Sequence, residues 1–214
     1  MFMERIIKGL LGRHRQKSEL AAEERHDSKL FSAAFSGLGV SASLLVPWEA
    51  RAVEVDAKRL GPDRGNKMLQ SLWAKDKYMS LLDQDAIHSL QKYFDFATVQ
   101  ADRDVIRQDE YGNFMLVLLS GAIAVDRVQP WGERLRLAET RPGEILGEMS
   151  LLDSGIRFSS CSTLSECDIA ILSAEGMDDM VSTDPTLAAN LIALLARKLS
   201  LRLRVVSARL SEAK

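Results

Sequence analysis

The stretch Pro142 to Thr163, PGEILGEMSLLDSGIRFSSCST, decides how this chain is read. Pro142-Gly143 is a turn signal, and Ile145-Leu146 is a short apolar pair that stops at Gly147. A helical turn over Met149 to Leu152 follows. A glycine at a strand-to-helix junction lets backbone approach a ligand closely. The first turn of a helix offers unsatisfied N–H groups and the positive end of its dipole, which suits an anion. Glu148 is a carboxylate acceptor at the same point. Arg157, nine residues on, carries a rigid fork of donors that fits a phosphate in two-point contact. Ser159 and Ser160 add hydroxyls. An anion site, a carboxylate and an arginine together describe a sugar-phosphate pocket. Spacing alone leaves a second reading open, in which Arg157 pairs with Glu148 across an exposed surface for ~0–1 kcal/mol.

Around this stretch the hydrophobic period is two. VIRQDEYG, NFMLVLLSG, AIAVDRVQ, a turn at Pro130-Trp131-Gly132, ERLRLAET and SSCSTLSECDIAIL read as short strands bounded by glycine and proline turns. That pattern predicts an antiparallel β-barrel or jelly roll over about residues 96–172. Helical spacing returns after Ala174, and Asp184-Pro185 opens a long helix expected to run over about 185–210. Its stripe Leu195, Leu199, Leu203, Val206 and Leu210 suits either an intramolecular core or a dimer seam. Arg197, Lys198, Arg202, Arg204 and Arg209 make it basic; a solvated face is the default reading, with a ligand or an acidic partner as the alternative.

Upstream, Gln84 to Phe94 reads as a helix with Ile87, Leu90 and Phe94 on one face. Trp48 to Leu60 reads as a helix stopped by Gly61-Pro62. Ser32 to Ser43 reads as a flexible or loosely helical linker, and Ser18 to Leu30 as a charged helix. Phe2, Ile6, Ile7, Leu10 and Leu11 recur at helical spacing among Arg5, Lys8, Arg13, Arg15 and Lys17. Such a basic amphipathic segment, residues 1–17, suits a membrane surface, a partner or the chain's own domain. The expected organisation is a helical extension with a linker over 1–75 and a ligand-binding domain over 76–214. The fold class is α+β: an antiparallel barrel or jelly roll flanked by helices.

With 214 residues, 46% apolar, 27% charged and a net charge of -2, the composition is that of a globular protein with no global attraction to nucleic acid. Cys161 and Cys167 match neither a zinc spacing nor a disulfide framework and read as reduced, buried thiols. Neither a standard signal peptide nor a bilayer-length apolar run is evident, which predicts a cytoplasmic location. No GxSxG, HExxH or paired Cys/His spacing appears, and Gly61 to Met68 (GPDRGNKM) lacks the glycine-lysine-hydroxyl run of a phosphate loop. All three histidines lie outside the barrel region. Neither an enzyme nor a resident metal or cofactor is expected.

The run G-E-M-S-L-L, a short turn, then R-F-S-S resembles the phosphate-binding cassette of cyclic-nucleotide-binding domains. These occur in catabolite-activator-type regulators, regulatory subunits of the cAMP-dependent kinase and cyclic-nucleotide-gated channels. The resemblance covers about Leu81 to Leu210, and Gly112, Gly121 and Gly143 fall where that family turns its barrel. It implies that Glu148 accepts the ribose 2′-hydroxyl and that Arg157 holds the exocyclic phosphate oxygens. Gly147 and the N–H groups of Met149 and Ser150 line the ribose-phosphate, Phe158 N–H meets the phosphate, and Ser159 and Ser160 lie beside the phosphate or base. The ligand implied is a cyclic nucleotide. The family usually has a small residue after the arginine, and a threonine there favours guanine. Phe158 has no hydroxyl, which argues for cAMP over cGMP, although its bulk is able to stack on a base or to suit a cyclic dinucleotide such as cyclic di-GMP. The resemblance further implies an effector protein and a possible homodimer through the last helix. Transcription factors of the family carry a helix-turn-helix after that helix; with Lys214 close behind it, direct DNA binding is not expected here. The rival reading is the same fold used as a ligand-free protein-interaction module.

Overall fold

The segment FMLVLL, residues 114–119, is apolar at six successive positions, as a strand buried on both faces must be. The computed structural model, which describes residues 29–82 and 84–212, bears this out. Strand β4 (Phe114–Ser120) directs Phe114, Leu116 and Leu118 into one apolar cluster and Met115, Val117 and Leu119 into another. The first cluster lies between two antiparallel sheets and the second lies under the helices. Strand β9 (Cys167–Ser173) repeats the division, with Ile169 and Ile171 on one side and Ala170 and Leu172 on the other.

The remaining strands are β1 (Lys58–Arg59), β2 (Asp95–Val99), β3 (Asp104–Ile106), β5 (Ile123–Val128), β6 (Arg134–Thr140), β7 (Ile145–Leu146) and β8 (Ser160–Thr163). They form a five-stranded sheet in the order β1-β2-β9-β4-β7 and a four-stranded sheet in the order β3-β8-β5-β6. The result is a jelly roll of two sheets, as expected, and not a single closed barrel. The hairpin between β5 and β6 turns where Pro130-Trp131-Gly132 predicts, with Gln129 N–H donating to the Glu133 carbonyl at 2.8 Å.

Seven helices surround the sheets in the described residues: α1 (Ser32–Gly37), α2 (Trp48–Glu54), α3 (Pro62–Trp73), α4 (Gln84–Leu90), α5 (Glu148–Asp153), α6 (Ala174–Thr183) and α7 (Pro185–Glu212). Helix α7 matches the expected last helix. Two upstream expectations are corrected. Gly61-Pro62 starts a helix instead of ending one: Gly61 is the N-cap of α3 and Pro62 its first residue, where a missing N–H costs nothing. The helix begun at Trp48 stops at Glu54, and Lys58–Arg59 pair with Thr98 and Ala97 of β2. The expected linker is also more ordered than predicted, with α1 followed by a 3₁₀ turn at Ala42–Leu44.

Packing runs across residue 75 without a break. Phe31, Leu60, Leu69 and Trp73 share a core with Ile87, Leu90 and Phe94, and with Leu187, Leu191 and Leu195 of α7. The amphipathic segment 1–17 and nearly all of the charged helix expected over Ser18 to Leu30 lie outside the described residues.

Candidate functional site

Gly147 joins β7 to α5 in the left-handed region, with φ at 75°. That conformation costs about 1–2 kcal/mol for a residue bearing a Cβ. Space is equally restrictive: a Cβ here would lie 2.6 Å from Arg157 Nη1 and 2.8 Å from Ile106 Cδ1. Gly147 is therefore required both by its backbone and by the arginine packed against it. No side chain caps the first turn of α5, where Glu148 favourably occupies the positive end of the helix.

Arg157 is buried, at 3% exposure. Its Nη1 donates to the Gly147 carbonyl at 2.8 Å and its Nη2 to the Phe114 carbonyl at 2.7 Å. The guanidinium also lies over the Phe114 ring, 4.6 Å from its centroid. On a further side is Gly112, where an added Cβ would stand 2.6 Å from both Nε and Nη2. Burial pushes the guanidinium down to about 10, with Arg51 also lowering it and Cys161, Glu110 and Glu148 opposing. It stays charged at neutral pH. A guanidinium has five N–H donors, and two are spent on carbonyls here. A buried cation with donors to spare and, among the described residues, no carboxylate bonded to it is suited to an incoming anion.

Glu148 is also buried and does not pair with Arg157. Its Oε1 accepts from Nη1 of Arg202 on α7, and Arg202 Nη2 reaches the Ile145 carbonyl at 3.2 Å. The second reading of the spacing, a surface Glu148–Arg157 pair, is thereby corrected. So is the solvated-face default for Arg202. Lys198 is likewise engaged, donating to Asp76 at 2.7 Å.

Arg157, Glu148 and Arg202 line one cavity of about 600 Å³. Gly147, Glu148, Met149, Ser150, Arg157, Phe158 and Ser159 all contribute to its wall. Ser160 does not; its hydroxyl accepts from Gln108 N–H at 3.0 Å, within the pairing of the four-stranded sheet. Phe158 is half exposed, and Arg127 covers its ring with the guanidinium carbon 4.0 Å from the centroid. Further wall residues include Val125, Leu137 and Thr140 from the sheet, which the sequence does not single out, and Leu201, Arg202, Val205 and Val206 from α7, of which Arg202 realises the ligand alternative for the basic face. The cavity thus has a polar end at Arg157 and Glu148 and a largely apolar remainder, with the last helix as one wall. Anionic sugar at one end and a planar base at the other would match this division.

Cys161 also lines the cavity, and burial pushes its thiol up to about 12. Its thiolate is correspondingly scarce, so treatment of the folded protein with N-ethylmaleimide at pH 8 is expected to leave Cys161 unmodified by mass spectrometry until denaturant is added. Modification at the rate of a free cysteine would contradict this burial. Among the described residues no cluster of His, Cys, Asp and Glu is arranged to hold a metal ion, and no helix is long and apolar enough to cross a membrane.

A two-sheet jelly roll with a glycine-glutamate turn, a buried arginine and a long helix walling the cavity is the architecture of a ligand-binding domain. Residues 97–184 match the family model for the cyclic nucleotide-binding domain. The cyclic AMP receptor protein of Thermus thermophilus is 33% identical over 107 residues, 50% of this chain and 50% of that protein. A CRP-like cAMP-activated global transcriptional regulator of Mycobacterium tuberculosis is 25% identical over 118 residues, 55% of this chain and 53% of that protein. The chain spans about half the length of the curated relatives it matches. Among solved structures, a cyclic nucleotide-binding domain from Methylobacillus flagellatus superposes with a TM-score of 0.67 at 23% identity, covering 74% of this chain and 90% of that one. The Thermus thermophilus catabolite activator protein gives 0.53 at 29% identity, covering 62% and 63%.

Proposed function

We propose that this protein is a cyclic-nucleotide-responsive regulatory sensor, not an enzyme, and that its ligand is cAMP. The observation that carries the reading is the buried Arg157, held charged beside Gly147 and Glu148 at the polar end of a nucleotide-sized cavity. The cyclic phosphate takes the free donors of Arg157 together with the N–H groups of Met149, Ser150 and Phe158. The ribose hydroxyl donates to Glu148, and the base lies on the apolar wall near Phe158. Phe158 offers no hydroxyl to guanine, and the curated relatives are described as cAMP receptors or cAMP-activated regulators.

Arg202 supplies the coupling. Ribose and Arg202 compete for one carboxylate, so the ligand has different affinities for the two positions of α7, and that difference shifts the helix. Beyond residue 200 the helix exposes Leu203, Val205 and Val206, which suits a homodimer seam or an effector protein. Cyclic di-GMP is the second reading, favoured by a second arginine, Arg202, in the cavity wall. Competition of unlabelled cAMP, cGMP and cyclic di-GMP against a fluorescent cAMP derivative tests the assignment. Displacement by cAMP at the lowest concentration is expected; stronger displacement by cyclic di-GMP would transfer the site to the dinucleotide, and failure of all probes to bind would leave an interaction module.

The coupling makes its own prediction. Arg202→Ala frees Glu148 from its competitor and is expected to tighten cAMP binding by roughly 2–5-fold, on the scale of a partly exposed ion pair. Equilibrium dialysis against labelled cAMP measures it, and weaker binding would instead make Arg202 a ligand contact.

A further inference from the structure

Most of the hydrogen-bonding partners of Arg157 among the described residues lie between residues 109 and 114. Its N–H donates to the Glu110 carbonyl at 2.8 Å, and its own carbonyl accepts from Asp109 N–H at 2.9 Å. Its guanidinium uses the carbonyl and the ring of Phe114. Tyr111 bridges Ile156, the residue before the arginine. Among the described residues, Gly147 is the one hydrogen-bonding partner from elsewhere.

That loop is itself held from behind by residues 45–54, upstream of the part of the chain that matches the family model. Val46 N–H donates to the Tyr111 carbonyl at 2.8 Å, and Leu45 forms a parallel bridge with Tyr111. Trp48 meets the Phe114 ring edge-on, 5.6 Å between centroids and 69° between planes. Arg51, 1% exposed, bonds Glu110 through Nη2 and Glu54 through Nη1, the latter at 2.5 Å. The loop is thus clamped between the arginine on one side and α2 on the other. A buried arginine bonded to the loop carboxylate fixes the loop in two directions, and a ring edge against Phe114 fixes the tilt of the surface on which the Arg157 guanidinium lies.

We infer that Trp48 and Arg51 are positioning residues for the phosphate site, and that occupancy of the site is felt at α2. The inference rests on the cyclic-nucleotide reading above. Shifting the loop moves the Phe114 carbonyl and ring, and Arg157 follows. Conversely, a phosphate that draws the guanidinium toward itself relaxes its hold on Phe114, and the ring passes the change to Trp48. Neither residue touches the ligand. Their effect is on where Arg157 stands before the ligand arrives, which is the part of an affinity that supporting residues control.

The test combines calorimetry with ¹⁹F NMR on protein carrying 5-fluorotryptophan, in which the Trp48 resonance is assigned by its loss in Trp48→Phe. cAMP is expected to shift the Trp48 resonance, saturating with the calorimetric heat. Arg51→Met and Trp48→Ala are expected to weaken cAMP binding about ten-fold, the scale seen when a supporting partner one layer behind a ligand group is lost. Trp48→Phe, which keeps a ring edge against Phe114, is expected to stay near the wild-type affinity. A merely structural role would lower melting temperature without moving the resonance on ligand addition. Normal heat from the wild type with an unmoved Trp48 resonance, or with Arg51→Met within two-fold, would overturn the inference alone. Absence of heat from the wild type would overturn the nucleotide reading and this inference with it. Should Arg51→Met fail to fold, the wild-type resonance still decides the question.

Discussion

Replacing Arg157 with alanine is expected to weaken cAMP binding by roughly 10²–10³-fold while leaving the protein folded. Truncating one partner of a buried charge pair costs on the order of 3–5 kcal/mol, because the other charge is left buried and unpaired. Here that charge is the cyclic phosphate, so the loss falls on the complex more than on the free protein. In the free protein the guanidinium bonds two carbonyls and rests on Phe114, and among the described residues no buried carboxylate loses a bonded partner when it is removed. Competition binding reads the affinity, and circular dichroism with a thermal melt reads the fold. An affinity within a few-fold of the wild type would mean that the phosphate is not held at Arg157.

Gly147→Ala is expected to have the second largest effect, acting on stability and affinity together. The left-handed backbone and the close contacts with Arg157 and Ile106 are expected to cost roughly 1–3 kcal/mol of stability. The atoms crowded by the new methyl are the ends of side chains, so the guanidinium gives way, and cAMP affinity is expected to fall by about ten-fold or more, as misplacing a binding group does. Gly112→Ala separates the two contributions. Gly112 has no positive φ, but its added Cβ meets the same guanidinium from another side. It should therefore weaken binding with a smaller cost in melting temperature. Wild-type affinity in both variants would show that the arginine can leave its seat without consequence.

The parts of the fold that were legible in the sequence are those encoded locally. Strand β4 shows its double burial as six consecutive apolar residues, and α7 announces itself through Asp184-Pro185 and a long apolar stripe. The meeting of Gly147, Glu148 and Arg157 at one cavity is legible because the three lie within eleven residues of one another, inside a run of strands. Gly61-Pro62 is ambiguous in sequence because proline both follows one helix and begins another, and only tertiary packing decides which. The strand Lys58–Arg59 is two residues long and has no period to detect.

The other half of the site is built from contacts distant in sequence. Glu148 meets Arg202 across 54 residues, and Arg157 meets the Phe114 carbonyl across 43. A basic face on α7 was visible, but charge pattern alone does not name the partner of one arginine among five. The resemblance marks Gly112 as a turn residue; that its missing side chain makes room for a guanidinium is a property of packing. Ser160, drawn into the site by its neighbours, is instead held by Gln108 because β8 has already begun to pair.

The central claim, that this cavity takes a cyclic nucleotide through its phosphate, is tested most directly by calorimetric titration of the purified, nucleotide-free protein with cAMP. One saturable site with a dissociation constant of about micromolar or below, ~8 kcal/mol or more of binding free energy, is the predicted result. No heat from folded protein at millimolar cAMP would contradict the account and return the domain to a scaffold for protein contacts.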